Sequence, residues 1–491
     1  MTRVVILVAL LCGLCAPRAA RASCGFYATT SGQPAFDDAT HVVLMRVGTR
    51  TVVSLQPHYR GPAEAFALVV PVPAGVQERD VRVLAPDVLD VVERIGAPRL
   101  VEYWERDPCA PETDAVPSEA AAKPAREDSQ DTTRDADDGT KPAAEVRVDA
   151  RFAAGEYRIS IVAASDAAAF DAWLRAEKYQ LPASAEPLLA PYLARGMKLL
   201  VARVDPAKVR FDGDRALLSP LRFHYDSERF ELPIRIGLAS SDGTQDLIVD
   251  VLAPHQRYRV ANEPNVTIPT NVTVDRSVRV QFAAFYNALF DATLEQHPDA
   301  VITEYAWAAT TCDPCPGPAL DRADFDALGA DVVDRTAATE DFVLTRLHLR
   351  YGKDVTEDLE LVPAPPIAGG REHVSASGLL DQDAQPASHD SFQARYAIRH
   401  PWLGPLRCAN PVRERWGAQD GGEAEFPAPP RRGRGALYRL PRSDLQPALG
   451  LAFAPRDAVV LAHALAQDVP AVDVSVADHG EMLAPAVPAS T

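Results

Sequence analysis

Apolar runs of strand length, each ended by glycine or proline, constrain this chain more than any other feature. "THVVLMRVGTRTVVSLQPHY", residues 40–59, is two such runs joined at Gly48-Thr49, a hairpin signal. "FALVVPVP", 66–73, reads as a third strand, and Pro71 and Pro73 place it at a sheet edge or a strand end. Pro86 can open a helix with Val88, Leu89, Val92 and Ile95 on one face and Gly96 as its C-cap. "RLVEYWERDPC" then forms a strand ending at Cys109.

A similar order follows further on. Phe170, Trp173 and Leu174 lie on a helix capped by Ser165. Leu188, Leu189, Tyr192 and Leu193 lie on another that stops at Gly196. "MKLLVARV", "LRFHYDSERFELPIRIGL" and "TQDLIVDVLA" make a second meander. Phe282, Phe285, Tyr286, Leu289, Phe290 and Leu294 recur at helical spacing, ahead of the strand "VITEYAWAATTCDPC". The expected fold is α+β: mainly antiparallel β-meanders with a few packed helices.

Shared phrases suggest two weakly related units. His58-Tyr59 precedes Phe66-Ala-Leu68, and His224-Tyr225 precedes Phe230-Glu-Leu232. Glu102-Tyr103 precedes Asp107-Pro108-Cys109, and Glu304-Tyr305 precedes Asp313-Pro314-Cys315. The expected division is a leader at 1–22, a first β-rich unit at 23–110, a disordered acidic insert at 111–146 and a second α+β unit at 147–318. A third partial β unit with a loop at 363–390 follows at 319–416, and a Pro/Ala-rich tail at 417–491. The insert lacks apolar periodicity and cannot bury enough surface to fold.

The first residues address export. Arg3 supplies a positive start, Val4 to Cys15 form a short apolar run, and Ala20-Arg21-Ala22 is a cleavage signature. Cleavage between Ala22 and Ser23 would leave Ser23 first. Lipidation at the nearby Cys24 is the alternative, although Arg21 stands where a lipobox wants an apolar residue. No later stretch approaches ~18 consecutive apolar residues, so no membrane span is expected in the mature chain. Lysine is scarce beside arginine, as in GC-rich bacteria. The expected location is the periplasm or the extracellular space. The net charge of -18, or -21 without Arg3, Arg18 and Arg21, argues against nucleic acid as a partner. An unidentified protein or envelope ligand is the partner expected instead.

Five cysteines remain in the mature chain: Cys24, Cys109, Cys312, Cys315 and Cys408. They allow at most two bridges, in 15 arrangements, with one thiol left over. Cys312 and Cys315 are spaced C-x-P-C, as in redox dithiols. Against that, Pro316 disfavours a helical Cys315, and a helix N-terminus is what activates such a thiol. Zinc needs four nitrogen or sulfur ligands, and no second C-x-x-C or suitably spaced histidine pair exists. A structural Cys312–Cys315 disulfide is therefore expected, with Cys24–Cys109 as the second bridge and Cys408 left over. Cys312–Cys408 is the rival pairing.

No G-x-S-x-G, G-x-G-x-x-G, Walker A or H-E-x-x-H motif is present, and no cofactor or catalytic residue is expected. His58, Tyr59, His224 and Tyr225 read as strand residues at a sheet rim. Trp104, Trp307 and Trp402 read as core or rim aromatics.

"CGFY" at 24–27, "GPAEAFALVVPVP", "APRLVEYWERDPC", "LSPLRFHYDSERFELPIRIGL", "TCDPCPGP" and "RYAIRHPW" together resemble the bacterial family called domain of unknown function 2330 (DUF2330), over roughly 24 to 416. The resemblance implies an exported bacterial protein with no assigned activity. Some relatives carry a C-terminal membrane anchor, which "PAVPAST" does not resemble. The expectation is a non-enzymatic binding or structural protein of the cell envelope. A thiol–disulfide protein acting through Cys312 and Cys315 is the alternative.

Overall fold

A computed structural model describes residues 24–37, 40–85, 87–110, 146–241, 243–312, 318–333, 338–370, 383–413, 416–417 and 459–465. Ala22, Ser23, Cys315, most of the acidic insert and most of the tail lie outside the described residues.

In chain order the first elements are β1 (Phe26–Thr29), β2 (Thr40–Val47), β3 (Arg50–Gln56), β4 (Phe66–Val72) and β5 (Val81–Val83). The β2–β3 hairpin closes at Gly48-Thr49 as expected. Gly48 has φ +57, a left-handed conformation that glycine adopts without Cβ strain. Helix α1 (Val88–Gly96) buries Leu89, Val92 and Ile95. β6 (Arg99–Glu105), β7 (Val146–Ala154) and β8 (Tyr157–Ala164) follow. Helix α2 (Ala167–Ala176) is capped by Asp166, whose carboxylate accepts from the Ala169 N–H at 2.8 Å, not by Ser165. Helix α3 (Ala185–Ala194) stops before Gly196, at φ +73. β9 (Lys198–Val204), β10 (Leu221–Asp226), β11 (Gln245–Pro254), helix α4 (Phe282–Gln296), β12 (Val301–Ala308), β13 (Phe342–Tyr351) and β14 (Ser391–Gln393) complete the main elements.

Two sheets dominate. One has the order β1-β4-β9-β8-β7 and is antiparallel. The long sheet has ten strands in line. They are Gln385–Pro386, Ile367–Gly369, β14, β12, β13, β11, β2, β3, β10 and β5, and Asn265–Thr267 pairs beside β12. Its main departure from antiparallel pairing is central, where β2 runs parallel to β11.

Alternation explains the layers. Leu68, Val70, Ile159, Ile161 and Leu200 of the first sheet meet Val42, Leu44, Leu55, Val249 and Leu347 of the long sheet in one core. The opposite-facing residues of the first sheet, among them Phe26, Val69 and Val201, pack under Phe170 and Leu174 of α2 and Leu189 and Tyr192 of α3. The far face of the long sheet carries α1 over Val43, Met45 and Leu252, and α4 over Ile302 and Phe392.

Several expectations change. The proposed repeat does not appear in the sheets. Strands of the two stretches interleave, β4 with β9 and β3 with β10, and the strands ahead of Cys109 and Cys315 belong to different sheets. Hydrophobic phrases recur because both stretches supply strands to the same core. Of the two places expected for Pro71 and Pro73, a sheet edge or a strand end, the second holds: β4 lies inside its sheet and ends at Val72, so Pro73 falls just past it and Pro71 beyond the Phe66–Val69 stretch that β1 pairs. The loop expected at 363–390 contains strands at its two described ends. In the tail, Ala464 and Leu465 are buried among the α4 side chains.

The chain divides into two compact units. One comprises Met1–Val101, Glu145–Ile398 and Glu425–Thr491, and holds both main sheets. The other comprises Glu102–Ala144 and Arg399–Ala424. Within this small unit Cys109 is bonded to Cys408, with Cα atoms 5.5 Å apart. This replaces the expected Cys24–Cys109 bridge and excludes Cys312–Cys408. Trp104 stacks on His400 at 4.7 Å, His400 Nε2 lies 2.8 Å from Glu102 Oε2, and the Trp402 N–H donates to Glu105.

Leu403, Leu406 and Val412 of the small unit are exposed, so the bond across a sequence separation of 299 should carry much of the order of its described residues. Loop-closure entropy allows at most about 5–6 kcal/mol for it. In a Cys109→Ser, Cys408→Ser variant, hydrogen exchange should accelerate at 102–107 and 400–413 while β12 and β13 stay protected. Unchanged exchange in the small unit would contradict this.

Candidate functional site

Charged residues punctuate β11 and β13 at strand spacing. Asp246 and Asp250 share one face of β11 with Ile248, and Arg346, His348 and Arg350 share one face of β13. The antiparallel register sets Asp246 opposite Arg350, Ile248 opposite His348 and Asp250 opposite Arg346. β2 adds His41, beside Ile248. On β12 the register shifts between Thr303 and Tyr305. Ile302 packs on the helix side before the shift, and Tyr305 and Trp307 after it. Such a bulge re-aims the strand, and here it brings Glu304 into the row of charges. α1 supplies Glu93 from above, and α4 supplies Tyr286, Phe290 and Asp291.

The result is a continuous ionic network under two helices. Arg346 is its centre. Its Nη1 lies 2.9 Å from Glu93 Oε2 and 3.5 Å from Asp250 Oδ2, and its Nε donates to Glu304 Oε2 at 2.6 Å. His41 Nε2 is 2.7 Å from Asp250 Oδ2. Glu304 Oε1 is 2.7 Å from His348 Nδ1 and accepts from the Tyr286 hydroxyl. Arg350 Nε donates to Asp246 at 2.7 Å, and Arg350 also pairs with Asp291. The Phe290 ring stacks on His348 at 4.0 Å. His41, Glu93, Asp246, Asp250, Glu304, Arg346 and His348 are each 2% exposed or less.

Burial and partners set the protonation. Burial opposes the charged form of Glu304, but His348 and Arg346 prevail and hold its carboxyl at about 2. Burial likewise opposes charge on Glu93, and Arg346 and His41 outweigh it, so its carboxyl lies below the usual range. Asp246 is held low in the same way by His348 and Arg350. Asp250 goes the other way: burial outweighs His41 and Arg346 and raises it. For His348, burial is overcome by Glu304 and Asp246, so its imidazole titrates above the ordinary range.

His41, Glu93 and Asp250 could offer three ligand atoms within 4.8 Å of one another. Their donor set suits a divalent cation, but Arg346 already occupies the cationic place, in contact with both carboxylates. The residues therefore do not fit a metal. The seven residues at the centre of the network are sealed from solvent, Arg350 and Asp291 reach the surface, and none of them lines the two cavities considered below. Its chemistry is positional: it fastens α1 and α4 to the long sheet. Gly96 reflects this. A Cβ there would come within 3.2 Å of Arg346 Cδ and Asp250 Oδ1, so close helix–sheet approach, rather than a capping role, favours glycine.

A cavity of about 290 Å³ opens at one end of the sandwich. Val53, Leu55 and Phe223 of the long sheet line one side, and Val70 and Pro71 of β4 the other. Arg195 sits at the rim, with Nη1 3.2 Å from Glu231 Oε2 and Nη2 3.5 Å from Asp358 Oδ2. Asp358 Oδ1 in turn accepts from the Tyr192 hydroxyl at 2.7 Å and the Ile234 N–H at 3.0 Å. The mouth is thus held in shape by fixed ions around an apolar interior.

Of the residues singled out in the sequence, Cys24 is buried and lines this cavity, as does Tyr225. Tyr59 is core, stacked on Phe66 at 3.6 Å. His224 lies 3.3 Å from Asp80 at the end of the long sheet. Trp307 is buried. Cys312 is itself disulfide-bonded, and Cys315 lies outside the described residues. Sequence reasoning missed the ionic network. Its signal was there: "DLIVD" and "RLHLR" place charges at even spacing inside apolar strands.

Residues 18–362 match a family described as an uncharacterised protein conserved in bacteria (DUF2330), and the chain belongs to that family. The match ends short of the expected 416, so "RYAIRHPW" falls outside it, while the ionic network and the cavity fall within. No curated protein and no solved structure matches the chain.

Removing Arg346 leaves three buried carboxylates without their common cation. Arg346→Met should cost about 3–5 kcal/mol in denaturant unfolding, the usual result of breaking a buried pair. The pH dependence follows from the shifts. Glu304, Glu93 and Asp246 stabilise the fold above their ordinary carboxyl range, and that contribution is lost as pH falls through their lowered values. His348 stabilises fully below its ordinary value of 6.5, and its contribution is lost as pH rises through the raised one. Melting temperature should therefore decline from pH 6 to pH 9, and less steeply in His348→Gln. Parallel profiles for the two proteins would contradict the assignment.

Proposed function

We propose that this protein is an exported, non-enzymatic binding protein of the bacterial cell envelope, and that its ligand site is the apolar cavity at the end of the sandwich. The observation that carries the reading is the cavity itself: apolar walls, a mouth of ion-paired side chains, and a volume near the lower end of ligand pockets, ~300 Å³. Such a site takes a small, largely apolar molecule. The ion pairs at the rim keep the mouth formed before the ligand arrives, which lowers the ordering cost of binding.

The leader-like start supports export, and the Cys109–Cys408 bond suits an oxidising compartment. Cys312 and Cys315 are read as a structural staple, because Pro316 works against the helical geometry that would activate a thiol. No helix among the described residues is long and apolar enough to cross a membrane. Secretion from an expressing bacterium followed by N-terminal sequencing should show Ser23 first. Full-length protein retained in the cytoplasm would refute export.

Ala74 is exposed at the cavity mouth and supports no core contact. The fluorescent probe 1-anilinonaphthalene-8-sulfonate should bind the native protein saturably at one site. Ala74→Trp should plug the mouth and weaken that binding at least tenfold, ~1.4 kcal/mol, without lowering the melting temperature. Equal affinity in the two proteins would defeat the assignment of this cavity.

A further inference from the structure

A second cavity, of about 440 Å³, lies beside the edge strand β1. Three segments wall it: residues 29–36 after β1, residues 180–184 between α2 and α3, and residues 239–241. These walls are cross-tied. The Gln180 N–H donates to the Thr29 carbonyl at 2.9 Å, the Tyr27 N–H donates to Ser240 Oγ at 2.9 Å, and the Ser184 hydroxyl donates to the Ala239 carbonyl at 3.0 Å. Gly32 approaches so closely that a Cβ there would meet Gln180 Oε1 at 2.4 Å, and its φ is +73. The cavity is therefore built into the fold.

Its chemistry is distinct. The lining offers hydroxyls and amides, Thr29, Gln33, Gln180, Ser184 and Ser241, alongside apolar surfaces such as Pro34 and Leu181. None of its 15 lining residues carries a charge, although 24% of the chain is charged and roughly three or four would be expected in a lining of that size. An ionic ligand would find no counter-charge among these residues. The Thr29 and Ser184 hydroxyls already donate within the protein, to the Gln33 and Ala239 carbonyls, but each keeps acceptor capacity that a wholly apolar ligand would cover and a hydroxylated one would meet. A peptide adding to the edge of β1 is disfavoured too, since Ser240 and Gln180 already take hydrogen-bonding groups of that strand.

We infer that this second cavity is a binding site for a neutral, polyhydroxylated ligand, a small saccharide, in which side-chain hydroxyls and amides meet the sugar hydroxyls and the apolar surfaces meet its C–H faces. The volume falls within the ~300–1,000 Å³ range of ligand sites. The inference is independent of the apolar cavity, which shares none of these lining residues.

The test uses the mature full chain with three neutral probes, maltose, cellobiose and N,N′-diacetylchitobiose, read by saturation-transfer NMR and by thermal shift at millimolar sugar. At least one should bind saturably. Gln180→Leu and Gln33→Ala should each weaken that binding at least fivefold, while Ala74→Trp at the other cavity leaves it unchanged. Gly32→Ala should reduce it as well, by displacing the Gln180 side-chain amide and straining a backbone held at φ +73. Three flat titrations overturn the inference. So does binding that survives both amide substitutions unchanged, or that is lost in Ala74→Trp.

Discussion

One guanidinium holds three carboxylates inside the long sheet. Arg346 contacts Glu93 on α1, Asp250 on β11 and Glu304 on β12, all essentially without solvent. Each of these charges would be costly to bury alone, so no single partner can move without stranding the others. The helices over the long sheet thus depend on this contact for their seat. His41 and His348 extend the network to β2 and along β13, and Arg350 carries it to Asp291 on α4. A buried network of this kind adds directionality to a layer that apolar packing alone would leave free to slide.

The network also separates two apolar clusters. One, around Leu89, Val92 and Phe325, lies under α1. The other, around Phe285, Phe290 and Tyr396, lies under α4. The opposite face of the same sheet is mainly apolar and forms the sandwich core. The long sheet therefore uses its two faces differently: one to gain burial, the other to fix geometry. Both cavities lie away from the fixed face. The apolar one lies at the open end of the sandwich, and the polar one beside edge strand β1. Sites at the ends and edges of a rigid frame leave the core packing undisturbed.

Local structure was legible in the sequence wherever the signal was local. The β2–β3 hairpin, the helix over Phe282 to Leu294 and the α+β class follow from periodicity and from glycine at a left-handed turn. The stop at Gly196 has the same origin. The cap of α2 was misread by one residue, because Ser165 and Asp166 can both cap and only the backbone path selects Asp166. The apparent repeat was misread for a different reason. Strands that fill one core share composition whether or not they share ancestry.

The sequence by itself determined the strand and helix segments, the acidity, and the charged residues at even spacing in β11 and β13. It contained no statement of register. Only the tertiary structure set Asp250 opposite Arg346, let a one-residue bulge turn Glu304 inward, and joined Cys109 to Cys408 across 299 residues. The physical reason is that propensity and turn chemistry act over a few residues. Pairing of charges and thiols is decided by which distant strands share a sheet, and that depends on burying the whole apolar set at once.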